Sequence, residues 1–466
     1  MAVSACGVIP RLPTEQILYS YAEQVDPEKR RPLVTIPGIL GSRLRAGRSG
    51  EFVWGGPTRL SLDTDSAESV RQLALPMGNG TEPLSALKDD VRPDGVLRRA
   101  NANILGTTIE AEIYDGLVQS LNAGGYEFSR TEEEERARNG ENPGSLEFPY
   151  DWRRDIVEAA QILDDFIERK AEQVHRVRKA RYGQAPEPDQ IRFDFVAHSM
   201  GSLVLRYWLM YGGQDLPADG SLPELTWAGA RRSACAIFVA PPNLGSVSAI
   251  ENIVNGRSFG PLQPDYPPAL IGTHHAIYQL MPRPRHSRVR SSTPEGDPIG
   301  NIYDVTLWED RNWGLMDPGQ DGILAQILPG VPDTATRRAV ARRYLDRVLK
   351  RAEQFHRAID RPGTAPGTDM FLVVGTGLDT PATAVWDEEP GDFTVEKFEE
   401  GDGTVLRASA LSDDRQGGHA SSAPLRPIRY RTVLLLPGEH VDITHNKVFA
   451  DNLLYWLLDA PRRRSG

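Results

Sequence analysis

The sequence predicts an α/β protein built on a mostly parallel central sheet with helices on both faces, and three observations predict it. Short apolar runs of strand length alternate with stretches whose apolar residues recur at helical spacing. The runs are nearly continuous in Val, Ile, Leu, Phe and Ala, as strands covered on both faces must be. No segment repeats along the 466 residues, which sets aside solenoids and propellers.

The elements follow in order. RPLVTIPG (31–38) reads as a strand ended by Pro-Gly, and IYDGLVQSLNAGGY (113–126) as a helix closed by glycines. Residues 155–180 form a long amphipathic helix, with Ile156, Ala159, Ala160, Leu163, Phe166, Ile167 and Ala171 near helical spacing. Further strands are expected at 191–196, 234–240, 370–375 and 431–436. Three segments break the rhythm. Residues 212–232 read as a surface loop. Residues 247–332 carry many prolines beside Tyr266, Tyr278, Trp308 and Trp313, too irregular for sheet layers and suited to a cap or lid over a cleft. Residues 51–99 lie between the first strand and the next helix. The expected organisation is a single domain with its core at about 31–460 and two excursions, 51–99 and 247–332.

Composition narrows the function. With 39% hydrophobic and 25% charged residues the chain can bury a large core, and a net charge of −11 argues against a nucleic-acid partner. The basic runs Arg337-Arg338, Arg342-Arg343 and Arg462-Arg463-Arg464 read as solvated helix and tail faces. The opening MAVSACGVIPRLPTEQ has no basic segment followed by an apolar run, and no stretch of about 18 apolar residues occurs. A cytoplasmic location is the default expectation. Cys6 and Cys235 suit neither a disulfide framework nor a metal site, and no cofactor is implied.

The chemistry centres on FDFVAHSMGSLVLRYWL (193–209), where a strand pattern passes through Ala197-His198-Ser199-Met200-Gly201 into a helical one. A nucleophile elbow sets a serine on such a turn, with small residues two positions either side so that the backbone can bend. The N–H of Met200, at the helix N-terminus, then offers half of an oxyanion hole. The other reading of Ser199 is a simple helix N-cap. A serine nucleophile needs a histidine base and an orienting acid, and α/β-hydrolases place them in the chain order serine, acid, histidine. His440, just after the strand RTVLLLPG (431–438), is the preferred base over His445. Asp402, in a Gly-Asp-Gly turn, is the preferred acid over Asp379. The second oxyanion donor is expected in TIPGILGSRL (35–44), at the N–H of Ile39, although Pro-Gly there also suits an ordinary turn. His198, beside the serine, reads as structural.

Taken together, IPGILGSRL, FPYDWRRD, AHSMGSLVLRYWL, VAPPNLGS, VVGTGLDT, GDGTV and the His440 segment resemble, in order and placement, the lecithin:cholesterol acyltransferase family. That group includes phospholipid:diacylglycerol acyltransferases and the lysosomal phospholipase with transacylase activity. The resemblance spans about 33–458 and implies an α/β-hydrolase fold and a lipid-ester O-acyltransferase or phospholipase. It makes Ser199 the nucleophile, Asp402 the acid, His440 the base, and Ile39 with Met200 the oxyanion donors. It implies an ion pair between Asp151 and Arg153, a lipid ester as substrate, and membrane contact through 51–99. The chain departs from the family in three places. Ala197 replaces the first elbow glycine, Pro241-Pro242-Asn243-Leu244-Gly245-Ser246 stands where animal enzymes carry Trp-Gly-Gly, and the cysteines that staple the membrane subdomain of secreted members are missing. Two alternatives stay open: a carboxylesterase for smaller esters, and a non-catalytic hydrolase-fold module that binds a lipid or protein partner.

Overall fold

The computed structural model describes residues 30–56, 61–62, 64–104, 107–126, 128, 144–258, 265–286, 288–292, 299–389, 391–413 and 428–460, the side chains of 100–112 excepted. Cys6, the proline-bearing residues 294–298 of the expected cap and the terminal arginines lie outside the described residues.

Six strands make one parallel sheet: β1 (Leu33–Ile36), β2 (Ser145–Glu147), β3 (Phe193–His198), β4 (Ser233–Val239), β5 (Asp369–Thr376) and β8 (Thr432–Pro437), in the order β8-β5-β4-β3-β1-β2. Between β5 and β8 in sequence, β6 (Leu378–Asp387) and β7 (Asp392–Gly401) form an antiparallel hairpin outside this sheet. The four inner strands of the sheet are buried throughout, which accounts for their unbroken apolar runs.

Alternation along the strands divides the core between the two faces. Leu33, Val196, Ile237, Val239, Phe371 and Val373 face α1 (Asp115–Ala123) and α6 (Lys447–Leu454). Val34, Phe195, Ala197, Ala236, Phe238, Leu372 and Val374 face the side that holds α2 (Ile156–Tyr182) and α3 (Met200–Tyr211). Helix α2 has both ends specified locally. Asp155 caps its start by accepting the Val157 N–H at 2.9 Å, and Gly183, at φ 78°, returns its N–H to Lys179 O. All twelve residues of α3 are buried, which ties the helix that follows Ser199 into the core.

The region expected as a cap is mostly helical. It contains α4 (Val247–Asn255) and short helices at Val305–Asp310 and Asp321–Ile327, with Trp308, Trp313, Trp386 and Phe393 meeting edge to face at 5.3–5.5 Å between ring centres. Contrary to the expectation of no sheet, Val289–Ser291 adds a parallel strand to β6, making three strands with β7. The long α5 (Thr334–Ile359) follows directly. The basic runs lie on it, and their solvent face is ion-paired rather than merely hydrated: Arg338 pairs with Asp321 and Arg342 with Glu309. The earlier excursion starts sooner than expected, with Ser42–Ala46 pairing antiparallel with Phe52–Trp54 and Val91–Val96 and a helix at Ala67–Leu73 between. Among the described residues no helix is long and apolar enough to cross a membrane.

Candidate active site

Ser199 occupies the single residue between β3 and α3, at φ 52° and ψ −126°. An L-residue adopts this backbone only where the surroundings enforce it. The enforcement comes from Gly201, where a Cβ would lie 2.3 Å from Pro37 O and 2.7 Å from Ile36 O, so only glycine lets the turn close on β1. Ser199 stands at the N-cap position of α3 but its side chain makes no capping bond, which removes the simple N-cap reading. Its Oγ instead meets His440 Nε2 at 2.8 Å.

The other ring nitrogen of His440, Nδ1, lies 2.8 Å from Asp402 Oδ2. Asp402 is 2% exposed, and its second oxygen accepts the N–H groups of Val405 at 2.7 Å and Thr404 at 3.0 Å. Burial pushes this carboxyl up, but the adjacent His440 and the two N–H donors outweigh it and hold the group below its ordinary range. The loop is fixed as well, since His440 N–H donates to Asp402 O at 3.0 Å. An ionised carboxylate on Nδ1–H leaves Nε2 unprotonated toward the serine, the arrangement in which imidazole can take a hydroxyl proton.

Topology explains how Asp402 arrives. Leu378 pairs with Gly401 at the base of the β6–β7 hairpin, so the chain leaves the end of β5 and returns to it. A Cβ on Gly375 of β5 would lie 2.4 Å from the Asp402 Cβ. Asp379, the other acid considered, is the register partner of Glu400 inside the hairpin. His445, the other base considered, packs on α1, where a Cβ on Gly116 would meet its ring at 2.4 Å. The structure therefore brings together Ser199, His440 and Asp402, and leaves Asp379 and His445 out of that contact chain.

The turn after β1 runs against the serine, since a Cβ on Gly38 would lie 2.8 Å from the Ser199 Cβ. Most of its backbone groups are engaged. Pro37 O accepts the Tyr150 hydroxyl at 2.9 Å, Gly38 N–H donates to Tyr114 Oη at 2.8 Å, Gly41 N–H donates to Gly38 O at 3.1 Å, and Leu40 O accepts Trp54 Nε1–H at 2.8 Å. Ile39 N–H has no acceptor among the described residues, nor has Met200 N–H at the first position of α3. Two free donors beside a serine hydroxyl can stabilise an oxyanion.

Four residues make contacts at or near the site that the sequence does not single out. Tyr114 reaches Gly38 from the start of α1. Asn243, in the PPNLGS segment, donates to Ala410 O at 2.8 Å and accepts from Arg206 of α3 at 3.1 Å, and Ser246 of the same segment donates to Thr404 O at 2.8 Å, beside the acid. Asp89 joins the Asp151–Arg153 pair, contacting Arg153 at 2.6 Å while Asp151 contacts it at 2.7 Å. Tyr114 and Asp89 carry no local signature, and although Asn243 and Ser246 lie in the PPNLGS segment, nothing local marks their long-range partners.

The sequence model of the lecithin:cholesterol acyltransferase family matches residues 88–414, well over half of the chain. None of the curated proteins matches it in sequence. Among solved structures, the Tle4–Tli4 complex contains a chain 14% identical, with 92% of this chain and 98% of that one covered at a TM-score of 0.57. EstA from Clostridium botulinum is 10% identical over 94% of this chain and 89% of that one, with a TM-score of 0.33. Lipase 1 from Pelosinus fermentans is 12% identical over 92% and 99%, with a TM-score of 0.34. At such identities the first of these speaks to the fold alone, and the six parallel strands, flanking helices and Ser199 turn described above are those of an α/β-hydrolase.

Proposed function

This chain belongs to the lecithin:cholesterol acyltransferase family, and from that premise we propose that it is a serine-dependent acyl-transfer enzyme that acts on long-chain lipid esters. Its general chemistry is that of an esterase or acyltransferase. The observation that carries the finer reading is the unbroken contact chain Ser199–His440–Asp402, 2.8 Å at each step, with the N–H groups of Ile39 and Met200 beside it.

In this reading Ser199 Oγ attacks the ester carbonyl while His440 Nε2 takes its proton, and Asp402 steadies the imidazolium through Nδ1–H. The N–H groups of Met200 and Ile39 receive the negative charge of the tetrahedral intermediate. His440 then returns the proton to the departing alcohol, leaving an acyl ester on Ser199. Water or an acceptor alcohol, deprotonated by His440, attacks that ester, and His440 passes the proton to Ser199 Oγ as the acyl–serine bond breaks. A single α/β-hydrolase domain supplies these groups, residues 247–332 cover the acyl chain, and the excursion at 51–99 meets the lipid surface.

The test is labelling by a long-chain alkyl phosphonate, followed by product analysis on a labelled phospholipid with and without a long-chain alcohol. Labelling is expected in the wild-type protein and absent in Ser199→Ala, with turnover down ~10⁴-fold or more in that variant. Folded wild-type protein that takes up no phosphonate overturns the enzyme reading and leaves a binding module. Free fatty acid as the sole product under both conditions reduces the reading to a lipase.

A further inference from the structure

We infer that Tyr114 and His198 are positioning residues: together they form a neutral hydrogen-bonded strut that holds the oxyanion turn and the base loop at fixed places on either side of Ser199. The inference rests on the proposed catalytic use of Ser199 and extends it to two residues that touch no substrate.

The strut consists of three contacts in series. Gly38 N–H donates to Tyr114 Oη at 2.8 Å, Tyr114 Oη lies 2.8 Å from His198 Nδ1, and His198 Nε2 lies 3.0 Å from the carbonyl oxygen of His440. The proton positions follow from the chemistry of the end groups. A carbonyl oxygen can only accept, so His198 carries its proton on Nε2. The neutral ring then has Nδ1 as an acceptor, so Tyr114 donates to it and uses a lone pair for Gly38 N–H. Every donor has one acceptor, and none is left over. Protonating His198 would put a hydrogen on Nδ1 and leave the Tyr114 hydroxyl facing two donors.

Burial favours the same state. His198 is 3% exposed and Tyr114 is 5% exposed. Burial first, and then the neighbouring His440, lower the His198 pKa to about 3, so the ring stays neutral throughout the range in which a serine enzyme works. The ring centres of His198 and His440 are 4.9 Å apart. A neutral neighbour at that distance adds no repulsion when His440 becomes an imidazolium, and it gives the transferred proton no competing base.

The strut does two jobs for the reaction. It occupies the Gly38 N–H, so that the Ile39 N–H is the donor that the turn presents to the serine. It also fixes the main chain of the base at its own residue, holding the His440 carbonyl while Asp402 O holds the His440 N–H. One end of the strut thus lies on the residue before Ile39 and the other on His440 itself, and both ends are referred to the residue next to Ser199.

The test measures second-order rates of phosphonate labelling, and kcat and KM on a soluble chromogenic ester, for wild type, Tyr114→Phe, His198→Phe and His198→Gln. Thermal midpoints are recorded for each. The expected result is a ~10- to 100-fold fall in labelling rate and kcat for Tyr114→Phe and His198→Phe, with KM within twofold, because misplacing reacting groups by a fraction of an ångström acts on the chemical step. His198→Gln, whose amide can both accept and donate, recovers part of the loss. Folded phenylalanine variants that label at the wild-type rate overturn the strut, as does a loss that tracks the thermal midpoint with glutamine no better than phenylalanine. Failure of the wild-type protein to label at all overturns the underlying functional reading instead.

Discussion

Holding Ser199 at φ 52° and ψ −126° costs ~1–3 kcal/mol relative to a residue at ease there. Glycine is at ease there, at the expense of ~0.4–1 kcal/mol of extra chain entropy in the unfolded state. Ser199→Gly and Ser199→Ala both delete the hydroxyl, so they differ mainly in strain. The glycine variant is expected to be the more stable by ~1 kcal/mol in urea titrations. An alanine variant of equal or greater stability refutes the claim that the elbow is strained. At this scale the candidate site was largely legible, because Ser199 between Ala197 and Gly201, Asp402 between two glycines, and His440 after the last strand each sit in a short signature. Tyr114 and the second bond of His198 were not legible. A tyrosine before a helix has no local mark, and its role exists only once β1, β3 and the His440 loop meet.

Among the elements, five of the six strands of the parallel sheet fall within two residues of their expected places, the inner ones because residues covered on both faces have few chemical choices, while the three-residue β2 (Ser145–Glu147) is not marked as a strand by the sequence. The β6–β7 hairpin was not expected: its outer strand, DFTVEKFEEG, is largely exposed and so lacks the apolar alternation that marks a strand. Helix α5 is marked in the sequence reading only by its basic runs, although Val340, Ala341, Tyr344, Leu345, Val348, Leu349 and Ala352 line its buried face. The segment FPYDWRRD binds elements together through one cation. Arg153, fully buried, contacts Asp151 and Asp89 and donates to the carbonyls of Gln72 and Leu73, which joins the end of β2 to the helix at Ala67–Leu73. Asp151 is held below the ordinary carboxylate range because Arg153 overcomes the effect of burial. Arg153→Met leaves two carboxylates and two carbonyls without their donor, and a loss of ~3–5 kcal/mol in urea unfolding is expected. A loss under 1 kcal/mol rules out the pair as a structural tie.

At the scale of the whole molecule, burial holds His198, His274, His275 and His356, among the described residues, in neutral form. Burial lowers the pKa of His198 and His275 to about 3 and of His274 to about 4, and drives His356 well below its ordinary value. Unfolding returns all four to a pKa near 6.5, so below that pH the unfolded chain binds protons that the folded chain refuses, and stability falls as pH falls. Asp194 acts in the opposite sense: burial raises it to about 7, so the folded state holds a proton that the unfolded state releases. Asp164 and Glu251, also raised by burial, trim the balance further. The net uptake on unfolding near pH 5 is two to three protons, a slope of ~3–4 kcal/mol per pH unit. Below about pH 4 the depressed carboxylates Asp151, Asp155 and Asp402 join with the same sign, their stabilisation being lost as pH drops through their folded values. Urea midpoints are therefore expected to change little between pH 8 and 7 and to fall steeply from pH 6.5 to 5; a midpoint that stays level or rises over that interval contradicts the assignment. His275 isolates the cause, because neither ring nitrogen has a hydrogen-bond partner among the described residues and the ring packs 5.8 Å from Tyr344. His275→Leu removes a titrating group without breaking a hydrogen bond, so its unfolding should take up one proton fewer at pH 5. Its stability relative to wild type should improve as the solution is acidified, and an unchanged slope in the variant would show that His275 is not among the histidines that acid unfolding must charge.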